Sequence, residues 1–394
     1  MSALRRISTK KLLAILSLAA VLVIGGAAIA MAMGGNGPKP APKPLANAVH
    51  DALNAPQVPG VSARIKFTNN LVDASSIEGT DPLLSGAEGR LWASPEGGGK
   101  LRLELQSEGG GGDTEVLVSG HQFSIYDGTS ETVYEGTLPE EEGKSGGEDE
   151  IPGLGAIEKE ITKAEGHAEL SGATPSDTAG QPTYTLRVAP KKDGGLLGGV
   201  ELAWDAENGI PLRAAIYSSA SSSPVIQLEA TDVSFESVPA STFEISPPPG
   251  AKVVNLSPVE AKGSGKGEPN QLEGVTAVQQ SVDFQLDAPT SLAGLPRADV
   301  SGIEVEGKTA ALATYGKGLG GIAVIESKSE PGESGESAET SEGLSLPKVS
   351  INGVQGEELD TALGTVLRFS RGGVDYIVVG SVPPAAAEAA ARAL

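Results

Sequence analysis

The chain has 394 residues, with 29 Lys and Arg against 51 Asp and Glu, a formal charge of −22, and no cysteine. Without cysteine there is no disulfide framework, thiolate metal site, cysteine nucleophile or cysteine-linked lipid anchor. The acidity argues against nucleic acid, whose phosphates must be neutralised by Lys and Arg. With 4% aromatics and 53 glycines, the composition suits turn-rich β structure, and the length suits about two domains.

Arg5, Arg6, Lys10 and Lys11 precede an uncharged apolar stretch, Leu12–Met33, and about 20 such residues cross a bilayer as a helix. Residues 1–33 therefore read as a signal anchor or a signal peptide. The basic residues on its N-terminal side put the remainder outside the cytoplasm. Ala28-Ile29-Ala30 or Ala30-Met31-Ala32 could be cleaved, whereas the length fits an uncleaved anchor better. The expected location is the cell membrane, single-pass with the C-terminal part extracytoplasmic, or secreted or periplasmic if the signal is cleaved. The exported part then carries 25 basic residues against 51 acidic ones, −26. Net charge cannot draw it to an anionic membrane, so a lipid must be engaged by apolar contact.

Residues 34–44 form a Pro-rich, extended spacer. Leu45–Ala55 spaces Leu45, Val49 and Leu53 as one helical face, ended by Pro56. Strands follow at Val61–Phe67, Gly89–Ala93, Lys100–Ser107, Thr114–Ser119, Gln122–Tyr126 and Glu131–Glu135. In Lys100–Ser107, Leu101, Leu103 and Leu105 alternate with Arg102, Glu104 and Gln106. After an acidic loop at Glu140–Glu150 comes a helix, Leu154–Ala168. Strands resume at Thr183–Ala189, Val200–Trp204, Leu212–Ser218, Pro224–Phe235 and Thr242–Ile245. So many short, locally connected strands with few helices read as an antiparallel meander in a mainly β (α+β) protein.

A linker spans 255–274. The last region, 275–394, reads as strands at Val282–Leu286, Gly302–Glu306, Thr309–Tyr315, Gly321–Ser327, Val349–Ile351, Gly364–Ser370 and Val374–Gly380. An Ala-rich helix, Ala385–Leu394, closes it. A disordered acidic insertion is expected at 326–346, starting with the Glu-rich run Glu326–Gly343.

Residues 45–254 resemble the lipoprotein carrier (LolA-like) superfamily, which includes regulators of the RseB type. The resemblance rests on an ordered series: the short helix, Val61–Phe67, Gly86–Trp92, Lys100–Leu105, Leu117–Gly120 with Phe123–Asp127, Tyr184–Val188, Ala203–Asp205, Gly209–Arg213, Thr231–Phe235 and Phe243–Gly250. It implies an antiparallel unclosed half-barrel with helices on its concave face, holding acyl chains. Residues 275–394 look like the smaller antiparallel β domain with a C-terminal helix that often trails such domains. A twisted meander with one apolar face and only two short helices leaves part of that face uncovered, independently of the resemblance. The residues expected to line the hollow are Ile65, Phe67, Leu91, Leu101, Leu103, Leu105, Val116, Val118, Phe123 and Ile125; ordinary core packing is the competing explanation for each.

No catalytic set stands out. His50, His121 and His167 lack ligand spacing, and no G-x-S-x-G stands at a strand-to-helix elbow, the literal match Gly143–Gly147 lying within the acidic loop. Gly316–Gly321 matches G-x-G-x-x-G but joins two strands, so it reads as a hairpin turn. Neither acidic run has the ligand spacing of a calcium loop. Trp92 and Trp204 on strands suit core anchoring. No cofactor is implied. The expectation is a non-enzymatic, membrane-tethered protein that binds lipid or lipoprotein acyl chains, or alternatively an RseB-like envelope sensor that binds a membrane anti-sigma factor. The partners are thus lipid, possible membrane regulatory protein, and the membrane itself through Leu12–Met33, with no nucleic acid.

Overall fold

The computed structural model describes residues 37–72, 86–106, 113–138, 152–191, 195–245, 248–256, 272–305, 308–329 and 346–394. The Leu12–Met33 segment, the acidic loop Glu140–Glu150 and most of the linker lie outside them. Among the described residues no helix is long and apolar enough to cross a membrane.

Helix α1 (Leu45–Leu53) leads into β1 (Val61–Asn69), β2 (Ala87–Ser94), β3 (Lys100–Gln106), β4 (Thr114–Ser119), β5 (Gln122–Asp127) and β6 (Thr132–Thr137). Then come α2 (Leu154–Glu165), β7 (Ala168–Leu170), β8 (Thr174–Thr178), β9 (Gln181–Pro190), β10 (Leu197–Asp205), β11 (Pro211–Ser218), β12 (Pro224–Ser234) and β13 (Lys252–Leu256). These 13 strands form one sheet in the order β13-β6-β5-β4-β3-β2-β1-β12-β11-β10-β9-β7, with β8 also on β9. Two antiparallel meanders, β1–β6 and β9–β12, meet at the β1–β12 pairing, and the edges β13 and β7 do not close. The junction contains a bulge. Ala63 pairs with Val233 and Arg64 with Asp232, but Ile65 pairs with Ala230 and Phe67 with Leu228, so Thr231 is the extra residue. Strand β12 places apolar residues at Ile226, Leu228, Ala230 and Val233. Its period of two breaks between 230 and 233, and one bulged residue keeps all four on one side.

The second unit begins with α3 (Val275–Ser281). It continues as β14 (Ser291–Leu292), β15 (Leu295–Val305), β16 (Lys308–Tyr315), β17 (Ile322–Lys328), β18 (Lys348–Ile351), β19 (Val354–Thr361), β20 (Gly364–Arg371), β21 (Val374–Gly380) and α4 (Pro384–Ala393). Its eight strands, ordered β14-β15-β16-β17-β21-β20-β19-β18, make an open, curled antiparallel sheet. Its core packs Val278 of α3 and Ala387, Ala390 and Ala391 of α4 on Val300, Val324, Leu367, Phe369 and Val378. The mainly β fold with few helices, two sheets and a closing helix agrees with the sequence reading.

Four local expectations are corrected. Thr242–Ile245 is not a strand: Ala240–Phe243 is a 3-10 turn that buries Phe243, and the Thr242 carbonyl accepts a hydrogen bond from Arg102. Val282–Leu286 alternates like a strand but has no strand neighbour. Instead the Gln279 amide donates to the Phe284 carbonyl at 2.8 Å and accepts the Leu286 N–H at 2.9 Å, satisfying the backbone in place of a ladder. The acidic insertion does not begin at 326. Strand β17 runs to Lys328, and Glu326 pairs with Tyr376 inside the sheet, with no exposed surface; residues 330–345 lie outside the described chain. The boundary at 254 falls inside β13, which adds parallel to β6 and extends to Leu256.

Leu105 is fully buried among apolar neighbours of the first sheet. Leu105→Ala is expected to cost about 2–5 kcal/mol through lost contacts and a residual cavity. Urea unfolding followed by circular dichroism would show this as a lower midpoint for the first sheet, and an unchanged midpoint would contradict the core assignment.

Candidate ligand-binding face

Cross-strand register decides which side chains share a face. One row runs Ala63–Leu91–Leu103–Val116–Ile125–Tyr134–Val254 across seven strands. The next runs Ala93–Leu101–Val118–Phe123–Gly136–Leu256. On the other side of the first row lie Ile65, Gly89 and Leu105, and beyond them Phe67 opposite Ala87. All ten sequence-predicted residues therefore lie on one face, termed inner here. Through the Thr231 bulge the face continues onto Leu228, Ala214, Leu202 and Leu186.

The ten split by exposure. Ile65, Phe67, Leu103, Leu105, Val116 and Ile125 are buried, whereas Leu91, Leu101, Val118 and Phe123 are only partly so. The four partly exposed residues lie in the two adjacent rows toward the β4–β5 turn. Gly136 makes room there: a Cβ at that position would stand 2.6 Å from the Phe123 ring, so a side chain would push the ring off the face. The opposite face of the same strands is charged. Arg102 pairs with Glu115 at 2.9 Å and with Glu104, and its guanidinium lies 5.2 Å from the Trp92 ring centre.

The cover of the inner face comes from two places. At the β9–β10 end, Ala48 of α1 packs against Tyr184, Leu186 and Trp204, which agrees with Trp204 as a core anchor. Nearer the middle, Leu71 after β1 and Leu359, Ala362 and Leu363 around the β19–β20 turn pack against the same apolar cluster. Sequence reasoning missed these four, together with Tyr134, Val254 and Leu256. The available signal was an apolar pair, Ala362-Leu363, at the tip of a hairpin, where polar turn residues are usual.

Of the buried carboxylates, Glu201 and Glu326 lie outside this face in contrasting surroundings. Glu201 accepts from Tyr217 at 2.8 Å and from Arg213, while Arg213 also donates to Tyr217 at 2.7 Å and to Gln227 at 3.0 Å. Burial pushes the Tyr217 hydroxyl up to about 12, and burial raises Glu201 against the opposing pull of Arg213. This set is internally paired and reads as a structural clamp on β10–β12. In the second sheet, Glu326 faces Asp287, Arg371, Tyr315 and Tyr376. Its Oε2 accepts the Asp287 N–H at 2.8 Å, and its Oε1 has no partner among the described residues. A cavity of about 650 Å³ nearby is lined by residues including Asp283, Asp287, Lys328, Arg371 and Tyr376. Its cations are already neutralised, Arg371 by Asp287 at 3.1 Å and Lys328 by Asp283 at 2.7 Å. Among the described residues no group of three or more His, Asp or Glu could hold a metal ion. His50 on α1, His121 in the β4–β5 turn and His167 after α2 stay on separate elements.

Fold and face together define an open antiparallel sheet with one continuous apolar side, partly covered by helices and by a second, docked sheet. No family profile matches the sequence, and no curated protein does. Among solved structures the chain is similar to MucB in the Pseudomonas aeruginosa MucA/MucB complex, at 15% identity and a TM-score of 0.44, over 88% of this chain and 96% of that one. It is also similar to a putative outer membrane lipoprotein-sorting protein domain from Vibrio parahaemolyticus, at 14% identity and a TM-score of 0.25, over 50% of this chain and 94% of that one. A LolA superfamily protein from Nitrosomonas europaea is similar at 12% identity and a TM-score of 0.22, over 52% of this chain and 99% of that one.

Burial pushes the Glu326 carboxyl up to about 7, from an ordinary value near 4.5. The folded chain thus holds this proton more tightly than the unfolded chain does. The associated stability is complete below about pH 4.5 and is lost as pH rises through about 7, a change of up to about 3 kcal/mol. Glu326→Gln should remove that slope. The check is a comparison of urea midpoints for the second sheet at about pH 5 and about pH 8, in wild type and variant. Parallel pH profiles in the two proteins would contradict the assignment.

Proposed function

We propose that the chain is a non-enzymatic binding protein for acyl chains, either of free lipid or of a lipoprotein, received on the inner face of the first sheet. The observation that carries this reading is the strip Leu91, Leu101, Val118 and Phe123. It is apolar and only partly buried; Leu101, Val118 and Phe123 are in register on three adjacent strands, and Leu91 on the next strand lies one row over. An apolar strip of this kind suits a ligand that offers hydrocarbon and asks for no hydrogen bonds. The charge of the exported part supports the same choice, because an acidic surface attracts neither phosphate backbones nor anionic headgroups. In this reading Leu12–Met33 tethers the chain to the membrane, with both sheets on the extracytoplasmic side.

Two substitutions separate a binding face from a core. Leu101 is partly exposed, so Leu101→Asp should leave the fold intact and weaken acyl-chain binding at least about tenfold. Leu103 is fully buried, so Leu103→Asp buries an unpaired charge and should unfold the first sheet. Native mass spectrometry of the purified wild type should show co-purified lipid. Absence of lipid, together with no uptake of a fluorescent fatty acid, would sink the proposal. Recovery of a membrane regulatory protein in a pull-down from such a lipid-free preparation would favour the sensor reading instead.

A further inference from the structure

The β19–β20 hairpin carries apolar side chains that its own domain does not use. Across the pairing of β19 with β20, Glu358 stands opposite Leu367 and Leu359 opposite Val366. Leu367 belongs to the core of the second sheet, so Leu359 points to the other side. Leu359, together with the turn residues Ala362 and Leu363, packs instead on the apolar cluster of the first sheet, the cluster of Ile65, Phe67, Leu103 and Leu105. The turn is preformed. Thr361 Oγ1 accepts the N–H groups of Leu363 at 3.3 Å and Gly364 at 3.0 Å, and donates to the Gly364 carbonyl at 2.7 Å.

Few polar contacts hold this tip in place. The Ala362 N–H donates to the Leu71 carbonyl at 2.9 Å. Ser381 makes the second connection. Its hydroxyl donates to the Leu363 carbonyl at 2.8 Å and accepts the Leu196 N–H at 3.1 Å and the Leu197 N–H at 3.3 Å. The Leu196 N–H also reaches the Ser381 carbonyl at 2.8 Å. Leu71, Leu359, Ala362 and Leu363 all stay partly exposed, unlike the closed core of either sheet. A rigid tip with two leucines, seated on an apolar face by a handful of hydrogen bonds, is a contact that can open without unfolding either sheet.

We propose that the β19–β20 tip is a resident plug of the inner face: seated beside Leu71 past the Phe67 end of β1, it blocks the path of an acyl chain that enters over the strip of Leu91, Leu101, Val118 and Phe123, so ligand and docked second domain exclude one another. This rests on the acyl-chain reading given above. Linkage makes the relation reciprocal, so a chain that displaces the tip releases the second domain, and pinning the tip keeps the ligand out. Release would expose Leu359, Leu363 and the Ser381 region only when the first sheet is loaded.

The absence of native cysteine allows a direct test, because a Leu71→Cys/Ala362→Cys pair has one possible disulfide. The 2.9 Å backbone hydrogen bond between these residues keeps them within disulfide reach. The full-length double variant, in lipid nanodiscs, is irradiated with diazirine-bearing palmitate, and labelled peptides from residues 61–127 are quantified by mass spectrometry. Oxidation should lower labelling at least about tenfold, with dithiothreitol restoring it, because the competent fraction is removed. Leu363→Ser, in an otherwise native chain, should raise labelling several-fold. Equal labelling of the oxidised and reduced forms, or failure of the disulfide to form, overturns the plug and leaves acyl-chain binding standing. If neither the reduced pair nor Leu363→Ser is labelled in residues 61–127, acyl-chain binding falls, and the plug falls with it.

Discussion

The bulge at Thr231, where the two meanders join, is the constraint on which the first sheet depends. Two meanders are joined there by β1 and β12, and side-chain parity must match across the join. Without the extra residue, Ile65 would stand opposite Thr231 and Phe67 opposite Glu229. With it, they meet Ala230 and Leu228. A one-residue slip reverses the face of every side chain beyond it, so this residue decides whether β1–β6 and β9–β12 share one apolar side or present two half-sides to opposite solvents. Thr231 suits the position, since its hydroxyl lies 3.4 Å from the Arg64 carbonyl at the point where the ladder skips.

Much of this was legible in the sequence because strict alternation is a strong signal. Leu101, Leu103 and Leu105 fixed their strand and face, and the neighbouring strands followed by local connection, so all ten predicted residues lie on one side. What was not legible has physical causes. Strand β19 carries Gln355, Glu357, Glu358 and Asp360 among its eight residues, so no apolar alternation announces it. Glu326 was assigned by composition to the acidic run that follows it. In the sheet it takes the next inward position after Ile322 and Val324, where alternation outweighs charge. Val282–Leu286 failed in the opposite sense: it alternates, but Gln279 satisfies its backbone and no ladder is needed. The identity of the four half-exposed side chains within the ten was beyond any periodic argument, because exposure is set by the cover, and part of that cover, Leu359, Ala362 and Leu363, comes from the far end of the chain.

Two of the buried carboxylates, Glu201 and Glu326, differ in how their charge is met. Glu201 has a cation and a phenol within hydrogen-bond distance, so its charge is compensated where it stands. Glu326 has one backbone N–H and lies near Asp287, whose own charge opposes it. An ionised group in the second position is held against its desolvation by little more than one hydrogen bond and the more distant Arg371. Protonation is the cheaper state there.

The two sheets meet the same requirement in unequal ways. An open sheet with an apolar side must cover it. The second sheet does so with its own elements: α3 and α4 place Val278, Ala387, Ala390 and Ala391 over it, and those residues are almost wholly removed from solvent. The first sheet is larger, yet α1 reaches only the Tyr184–Trp204 end, and α2 contacts α1 and β7 rather than the centre. The deficit falls on the strands that carry Leu91, Leu101, Val118 and Phe123, and among the described residues the second unit supplies three apolar residues of one hairpin, Leu359, Ala362 and Leu363, to this cluster. Short of helix, that side of the first sheet keeps the most apolar surface only half covered. The second sheet, already sealed by its own helices, can spare an apolar hairpin tip for its neighbour.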